Sequence, residues 1–256
     1  MRWTLLVDPV GRPGWHNMAV DQALLDLAAG EGRAFLRLYR WTPHCLSFGR
    51  HEPALRRYDR AAILRQEIDC VRRPTGGRAV WHADEVTYAV AAPITTFGNL
   101  ASTYRRIHQS LAAALQSLGF AASLAEAPER PAGVDAGGCF ASPAGGEVLL
   151  RGRKVVGSAQ LREGSAFLQH GSILLGGSQE VVTGVTLGAA PADGSIDLAA
   201  VRGGAVTFDE VAGAVGDSAR GWGEGWEVGT AASGPLAAGA ARHAERFRSE
   251  AWIWQR

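Results

Sequence analysis

Lysine is all but missing from this chain. Of its 26 basic residues 25 are arginine, and Lys154 alone is lysine. A drift that replaces surface lysine by arginine spares a lysine where a compact ammonium, able to lose its proton when buried, does what a permanently charged guanidinium cannot. A lone leftover also needs no cause, so the count only nominates Lys154. Cysteine is scarce too. Cys45, Cys70 and Cys139 are odd in number and far apart, with no CxxC or zinc spacing. That excludes a disulfide framework and a zinc site and suits a reducing cytoplasm. No apolar run approaches a membrane span, residues 1–8 are too short and too soon charged for a secretory signal, and there is no Asn-x-Ser/Thr acceptor. A net charge of +1 gives no ground for expecting nucleic acid or an anionic membrane surface as partner. There are no repeats and no clear linker. The 256 residues, 46% hydrophobic, therefore read as one domain, 1–256, with a sizeable core.

Glycine is plentiful, and one glycine stretch organises the chain: Arg72-Arg73-Pro74-Thr75-Gly76-Gly77-Arg78-Ala79-Val80-Trp81-His82. Paired glycines let backbone approach a ligand and adopt angles closed to other residues. With arginines before and inside it and a histidine after it, the loop suits an anionic or carbonyl-bearing ligand. As a bare pattern it is equally a glycine turn with arginine on its surface. Val86, Tyr88 and Val90 alternate as a strand leading out.

The rest of the chain alternates helices and strands. Residues 2–8 read as a strand and 11–14 as a turn. Asn17 is placed to cap a helix that ends near Gly30 or Gly32. Residues 34–41 form a strand covered on both faces; 45–50 form a second, 56–67 a helix, and 68–73 the strand that delivers the glycine loop. Residues 101–118 form an amphipathic helix, with Ile107, Leu111, Leu115 and Leu118 on one face. The segment 126–146 is loose and rich in Ala, Gly and Pro, and a loop this long inside a domain is often functional. Strands follow at 147–151, 153–161 and 166–175, the first two joined as a hairpin through Arg151-Gly152-Arg153, with helices at 207–220 and 235–251. The pattern predicts an α+β protein with mixed and antiparallel sheets flanked by helices.

Three further residues invite chemistry. Cys139 lies in the loose loop between Gly138 and Phe140, where a buried structural thiol is out of place and a nucleophilic one is not. Lys154 lies in Gly152-Arg153-Lys154-Val155-Val156-Gly157-Ser158-Ala159-Gln160. His170 lies in Leu168-Gln169-His170-Gly171-Ser172-Ile173. Alone, His82 and His170 read as structural histidines at strand ends.

These strings, with Asn17-Met18-Ala19, Asp21 and Leu36-Arg37-Leu38-Tyr39-Arg40-Trp41, closely resemble the motifs of the lipoate ligase and octanoyltransferase family over residues 15–175. The resemblance implies a biotin/lipoyl protein ligase-like catalytic domain, with no accessory domain. It implies substrate binding by Arg73, Thr75, Gly76, Gly77, Arg78, His82, Gly157, Ser158 and His170, and catalysis by Cys139 and Lys154. Arg78 stands where ATP-using ligases usually carry a third glycine, a departure that points away from a ligase-type adenylate pocket. Cys139-Phe140, just upstream of the lysine strand, matches the octanoyltransferases that work through a cysteine thioester.

The implied reaction moves octanoyl from octanoyl-acyl carrier protein, through Cys139, to a lysine of a lipoyl-bearing acceptor, a glycine-cleavage H protein or a dehydrogenase E2. Lys154 is expected to stabilise thiolate and oxyanion, Lys154 or His170 to take the amine's proton, and Gly76 and Gly77 to flank an apolar acyl tunnel. Neither cofactor nor metal is needed. The alternatives are an ATP- and Mg-dependent lipoate ligase, or its catalytic subunit, and a non-catalytic accessory protein on the same fold.

Overall fold

The computed structural model describes residues 1–126, 146–188 and 193–255. In chain order its elements are β1 (Arg2–Arg12), α1 (Gly14–Glu31), β2 (Ala34–Trp41), β3 (Cys45–Phe48), α2 (Ala54–Arg57), α3 (Arg60–Arg65), β4 (Asp69–Arg72), β5 (Val80–His82), β6 (Glu85–Pro93) and α4 (Leu100–Ser117). Then come β7 (Ser123–Leu124), β8 (Val148–Leu150), β9 (Arg153–Lys154), β10 (Val156–Glu163), β11 (Ala166–Leu174), α5 (Glu180–Val185), α6 (Leu198–Arg202), α7 (Phe208–Ala219), β12 (Gly225–Val228), α8 (Gly234–Arg248) and α9 (Glu250–Ile253).

The large sheet has six strands in the order β10-β11-β6-β2-β1-β12. β1 runs parallel to β2 and β12, and the remaining pairs are antiparallel. Because side chains alternate across a strand, β2 and β6 feed two cores. Leu36, Leu38, Tyr88 and Val90 pack with Ile107, Leu111, Leu115 and Val211 from α4 and α7. Phe35, Tyr39, Ala89 and Ala91 pack with Met18, Leu24, Leu236 and Phe247 from α1 and α8. A sheet sandwiched by helices is thus buried on both faces, as expected for β2. A small sheet β4-β3-β5 stands beside it and carries the glycine loop between β4 and β5. A second small sheet, β7-β8-β9, holds Lys154. The expected α+β architecture with mixed sheets and flanking helices is borne out.

Several local expectations change. Asn17 does not cap α1: it lies inside the helix, fully buried, and its amide donates to the carbonyls of Arg12 and Arg40 at 3.2 and 3.0 Å. The helix does stop at Gly32, whose φ of 66° is left-handed. The single helix expected at 56–67 breaks into α2 and α3, because Asp59 accepts from Ala62 N and starts a new helix. The strand expected at 153–161 breaks at Val155, where the chain passes from the β7-β8-β9 sheet to the large one. The predicted hairpin stands: Leu149 faces Lys154, and Arg151 and Gly152 both take positive φ, 51° and 74°. Trp254 and Ile253 are buried against Phe48 and Tyr58 in a third core. Among the described residues no helix is long and apolar enough to cross a membrane.

Candidate functional site

A narrow cavity of about 20 Å³ opens where β2, β3, β5, β6, β10 and β11 converge, lined among others by Met18, Tyr39, Trp41, Ser47, Arg73 and His82. From the other side Gly157, Ser158 and His170 close it. That volume holds about one water.

Arg73 makes the glycine loop. Its guanidinium donates to Gly76 O at 2.9 Å, to Arg78 O at 2.6 Å and to Ser47 O at 3.0 Å. A planar fork of five donors suits this task and a lysine does not. Gly77 has φ +89°, and a Cβ on Gly49 would meet Gly77 O at 1.9 Å, so the loop closes on a second glycine from β3's end. Gly76 and Gly77 are not among the residues lining the cavity. Gly157 and Gly171 line it instead, because β10 and β11 approach so closely that a Cβ on Gly171 would lie 2.3 Å from Gly157 O. Arg78 is half-buried, with its carbonyl engaged by Arg73.

Two histidines brace this wall. His82 Nδ1 is 2.8 Å from Glu85 Oε1 and its Nε2 is 2.7 Å from Ser47 Oγ, and its ring stacks on Trp41 at 4.0 Å. His170 Nδ1 is 2.9 Å from Asp21 Oδ2 and its Nε2 is 2.6 Å from Thr75 Oγ1 in the glycine loop. Asp21 also accepts from Arg37 at 3.0 Å and from Tyr39 at 2.8 Å. Burial holds the His170 pKa below its ordinary value despite the neighbouring carboxylate. Both ring nitrogens of His170 are engaged, one toward Asp21 and one toward Thr75 of the glycine loop.

Lys154 is buried, with Nζ 2.5 Å from Glu147 Oε1 across the β8–β9 hairpin. It is not among the residues lining the cavity. Its neighbourhood contains His108 of α4, whose Nδ1 is 2.7 Å from Gly146 O and whose Nε2 is 2.8 Å from Ser158 Oγ. Burial pushes the His108 pKa down to about 4, with the Lys154 charge a lesser contributor. Cys139 and most of its loop lie outside the described residues. Hence the structure joins Arg73, His82, Gly157, Ser158 and His170 around one cavity, with Thr75 bonded to His170 and Lys154 one hairpin away.

Sequence reasoning missed Ser47, Glu85, His108 and Glu147. Glu85, three residues past His82, carried a local signal; Ser47, His108 and Glu147 carried none, because their partners are 35, 50 and seven positions away.

Residues 13–215 match the family model described as the lipoyl protein ligase A/B catalytic domain. An octanoyltransferase LipM of Kyrpidia tusciae is 42% identical over 181 residues, 68% of this chain and 66% of its own length. An octanoyltransferase LipM of an Exiguobacterium strain is 38% identical over 192 residues, 70% of this chain and 68% of its own. The chain thus spans about two thirds of the length of the curated relatives it matches. A crystal structure of lipoate-protein ligase A bound with ATP superimposes with a TM-score of 0.81 at 20% identity, covering 99% of both chains. At that identity the likeness is one of fold.

Proposed function

Because the chain belongs to the family of the lipoyl protein ligase A/B catalytic domain, we propose that it is an octanoyltransferase of lipoate biosynthesis, acting in the cytoplasm. It takes octanoyl from octanoyl-acyl carrier protein and delivers it, through a thioester on Cys139, to a lysine of a lipoyl-bearing protein, a glycine-cleavage H protein or a dehydrogenase E2. The observation that carries the reading is the octanoyltransferase name of relatives 38–42% identical over most of this chain. The fold is common to a ligase that binds ATP, so residues, not architecture, choose between the two reactions.

The chemistry needs no nucleotide. The Cys139 thiolate attacks the donor's carbonyl carbon, a new carbon–sulfur bond forms, and the carrier thiol leaves; one thioester replaces another at nearly equal energy. Thiolate is the attacking form. The buried Lys154–Glu147 pair lies at the loop's downstream end, where an ammonium lowers the cost of thiolate and oxyanion. The acceptor amine then attacks the Cys139 thioester, and an amide replaces it.

The test is intact-mass measurement after incubation with octanoyl-acyl carrier protein, without ATP. The expected result is one octanoyl adduct, released by hydroxylamine and absent from Cys139→Ala. Full transfer by Cys139→Ala, or lipoylation of a lipoyl domain that requires ATP and free lipoate, overturns it.

A further inference from the structure

The polar side chains that face the cavity have no proton left to give. Their placement follows from strand register. Ser47 pairs with Val80 and Cys45 with His82, so Ser47 and His82 share the face of the small sheet that carries Val80, itself a cavity residue. On the large sheet Tyr39 pairs with Thr87 and Thr87 with Ser172, so these three share one face and line the cavity together. Arg73 has five N–H groups, and all five are used. Nε and Nη2 reach Gly76 O, Nη2 also reaches Arg78 O, and Nη1 reaches both Ser47 O and Ser47 Oγ. His82 Nδ1 faces a carboxylate oxygen of Glu85 at 2.8 Å, so it carries the one N–H of a neutral ring. Nε2 is then a lone pair, and Ser47 gives it its proton across 2.7 Å. Trp41 donates to Thr87 Oγ1 at 2.7 Å, and Thr87 and Ser172 both donate to Glu85 Oε1. On the other side Tyr39 OH and His170 Nδ1 give their protons to Asp21 Oδ2.

Glu85 is the sink for most of these protons. Its Oε1 accepts from His82, Thr87 and Ser172, as an ionised carboxylate does. The residue is buried, and its Oε2 has no hydrogen-bond partner among the described residues. Arg73 is the one Lys or Arg among the described residues that line the cavity. Glu85 balances it from the far end of the chain Arg73–Ser47–His82–Glu85. A carboxylate that entered would give up its water, find no side-chain proton offered in return, and meet a buried charge of its own sign. An uncharged group gives up far less. The arginine of the glycine motif is thus a clamp in the fold, and not an anion receptor.

We infer that Glu85 is a specificity-determining residue that closes this cavity to carboxylates: the acyl group it takes is uncharged at the end that enters, and a free acid group is turned away. The choice of an eight-carbon chain rests on the octanoyltransferase reading above. Selection of this kind works by placing an unpaired charge and spent donors against the wrong ligand, not by adding contacts to the right one.

The experiment is a calorimetric titration of the full chain with three ligands of one length. Octanamide is uncharged at both ends, octanoate carries its charge at the carbonyl end, and 8-amino-8-oxooctanoate carries it at the tail. Octanamide should bind, and one of the two carboxylates should bind more weakly by about tenfold or more, which names the end that enters. Glu85→Gln keeps the shape, removes the charge and puts amide N–H groups where Oε2 has no partner. It should bring the rejected ligand within about threefold of octanamide. Glu85→Asp keeps the charge while disturbing the contacts, and should keep the penalty; a merely structural role would give the two variants the same result. Should Glu85→Gln melt early, Glu85→Met removes the charge in its place. Equal binding of all three ligands to the wild-type protein, no binding of octanamide, or a penalty that Glu85→Gln leaves at full size overturns the inference. Absence of the octanoyl adduct on the wild-type protein overturns the functional reading instead, and leaves the order of these affinities as it is.

Discussion

Lys154 and Arg37 show how differently two buried cations are used. Lys154 meets the Glu147 carboxylate across the β8–β9 hairpin. Replacing it by arginine forces a larger planar group into that space and moves the charge. Lys154→Arg is expected to fold yet lose 10²-fold or more in octanoylation, read by transfer to a lipoyl domain. Arg37 is fully buried and ties Asp8, Asp21 and the Asn17 side chain into one cluster. It stands behind His170, not at the cavity. Arg37→Met strands a buried carboxylate and should lower stability by about 3–5 kcal/mol, measured as a shift in the urea midpoint. From sequence Lys154 was singled out by rarity, whereas its partner Glu147 was not, because their pairing depends on a hairpin register that charge patterns do not encode.

At the scale of elements, close approach of backbones decides the site. The glycine loop seats on Gly49, and a Cβ there lies 1.9 Å from Gly77 O, a backbone atom that cannot swing aside. Gly49→Ala should displace the loop, cost about 1–3 kcal/mol and weaken octanoyl binding, checked by a thermal melt and by donor KM. Gly76 and Gly77 were readable as a loop, but their place outside the cavity wall was not. The wall glycines, Gly157 and Gly171, are adjacent only through the β10–β11 pairing of Ser158 with Gly171. Helices were legible where periodicity was strong, as in α4. They were misread where an internal cap intervened, as at Asp59 between α2 and α3.

For the whole molecule, two consequences follow from burial. The first concerns acid. His108 titrates at about 4 in the folded chain against 6.5 when free, and His170 is displaced in the same direction. The unfolded chain binds these protons first, so stability is complete above pH 6.5 and falls below it, by up to about 1.4 kcal/mol per pH unit for each histidine. For His108 the loss reaches about 3 kcal/mol near pH 4. Urea unfolding at pH 7, 6 and 5 should show this slope, and His108→Asn should flatten it. The second consequence concerns the chain end. Arg72 donates to the carbonyls of Trp252, Ile253 and Gln255 and to those of Gly49 and Glu52, so the last helix is stitched to the loop after β3. Trp254→Ala should cost about 3–5 kcal/mol, seen as a lowered melting temperature.

The motifs by themselves determined the family and the fold class, because the glycine loop, the Lys154 strand and the His170 strand are contiguous strings whose local geometry their own residues dictate. They also marked Arg73, Thr75, His82, Ser158 and His170 as belonging together. Only the tertiary structure decided what each one touches. Arg73 folds the loop, His170 clamps it to Asp21, and Ser158 faces His108 across 50 positions of chain. Those contacts arise from strand register and helix packing, which bring distant residues within 3 Å by burying apolar faces that say nothing about the polar groups carried with them.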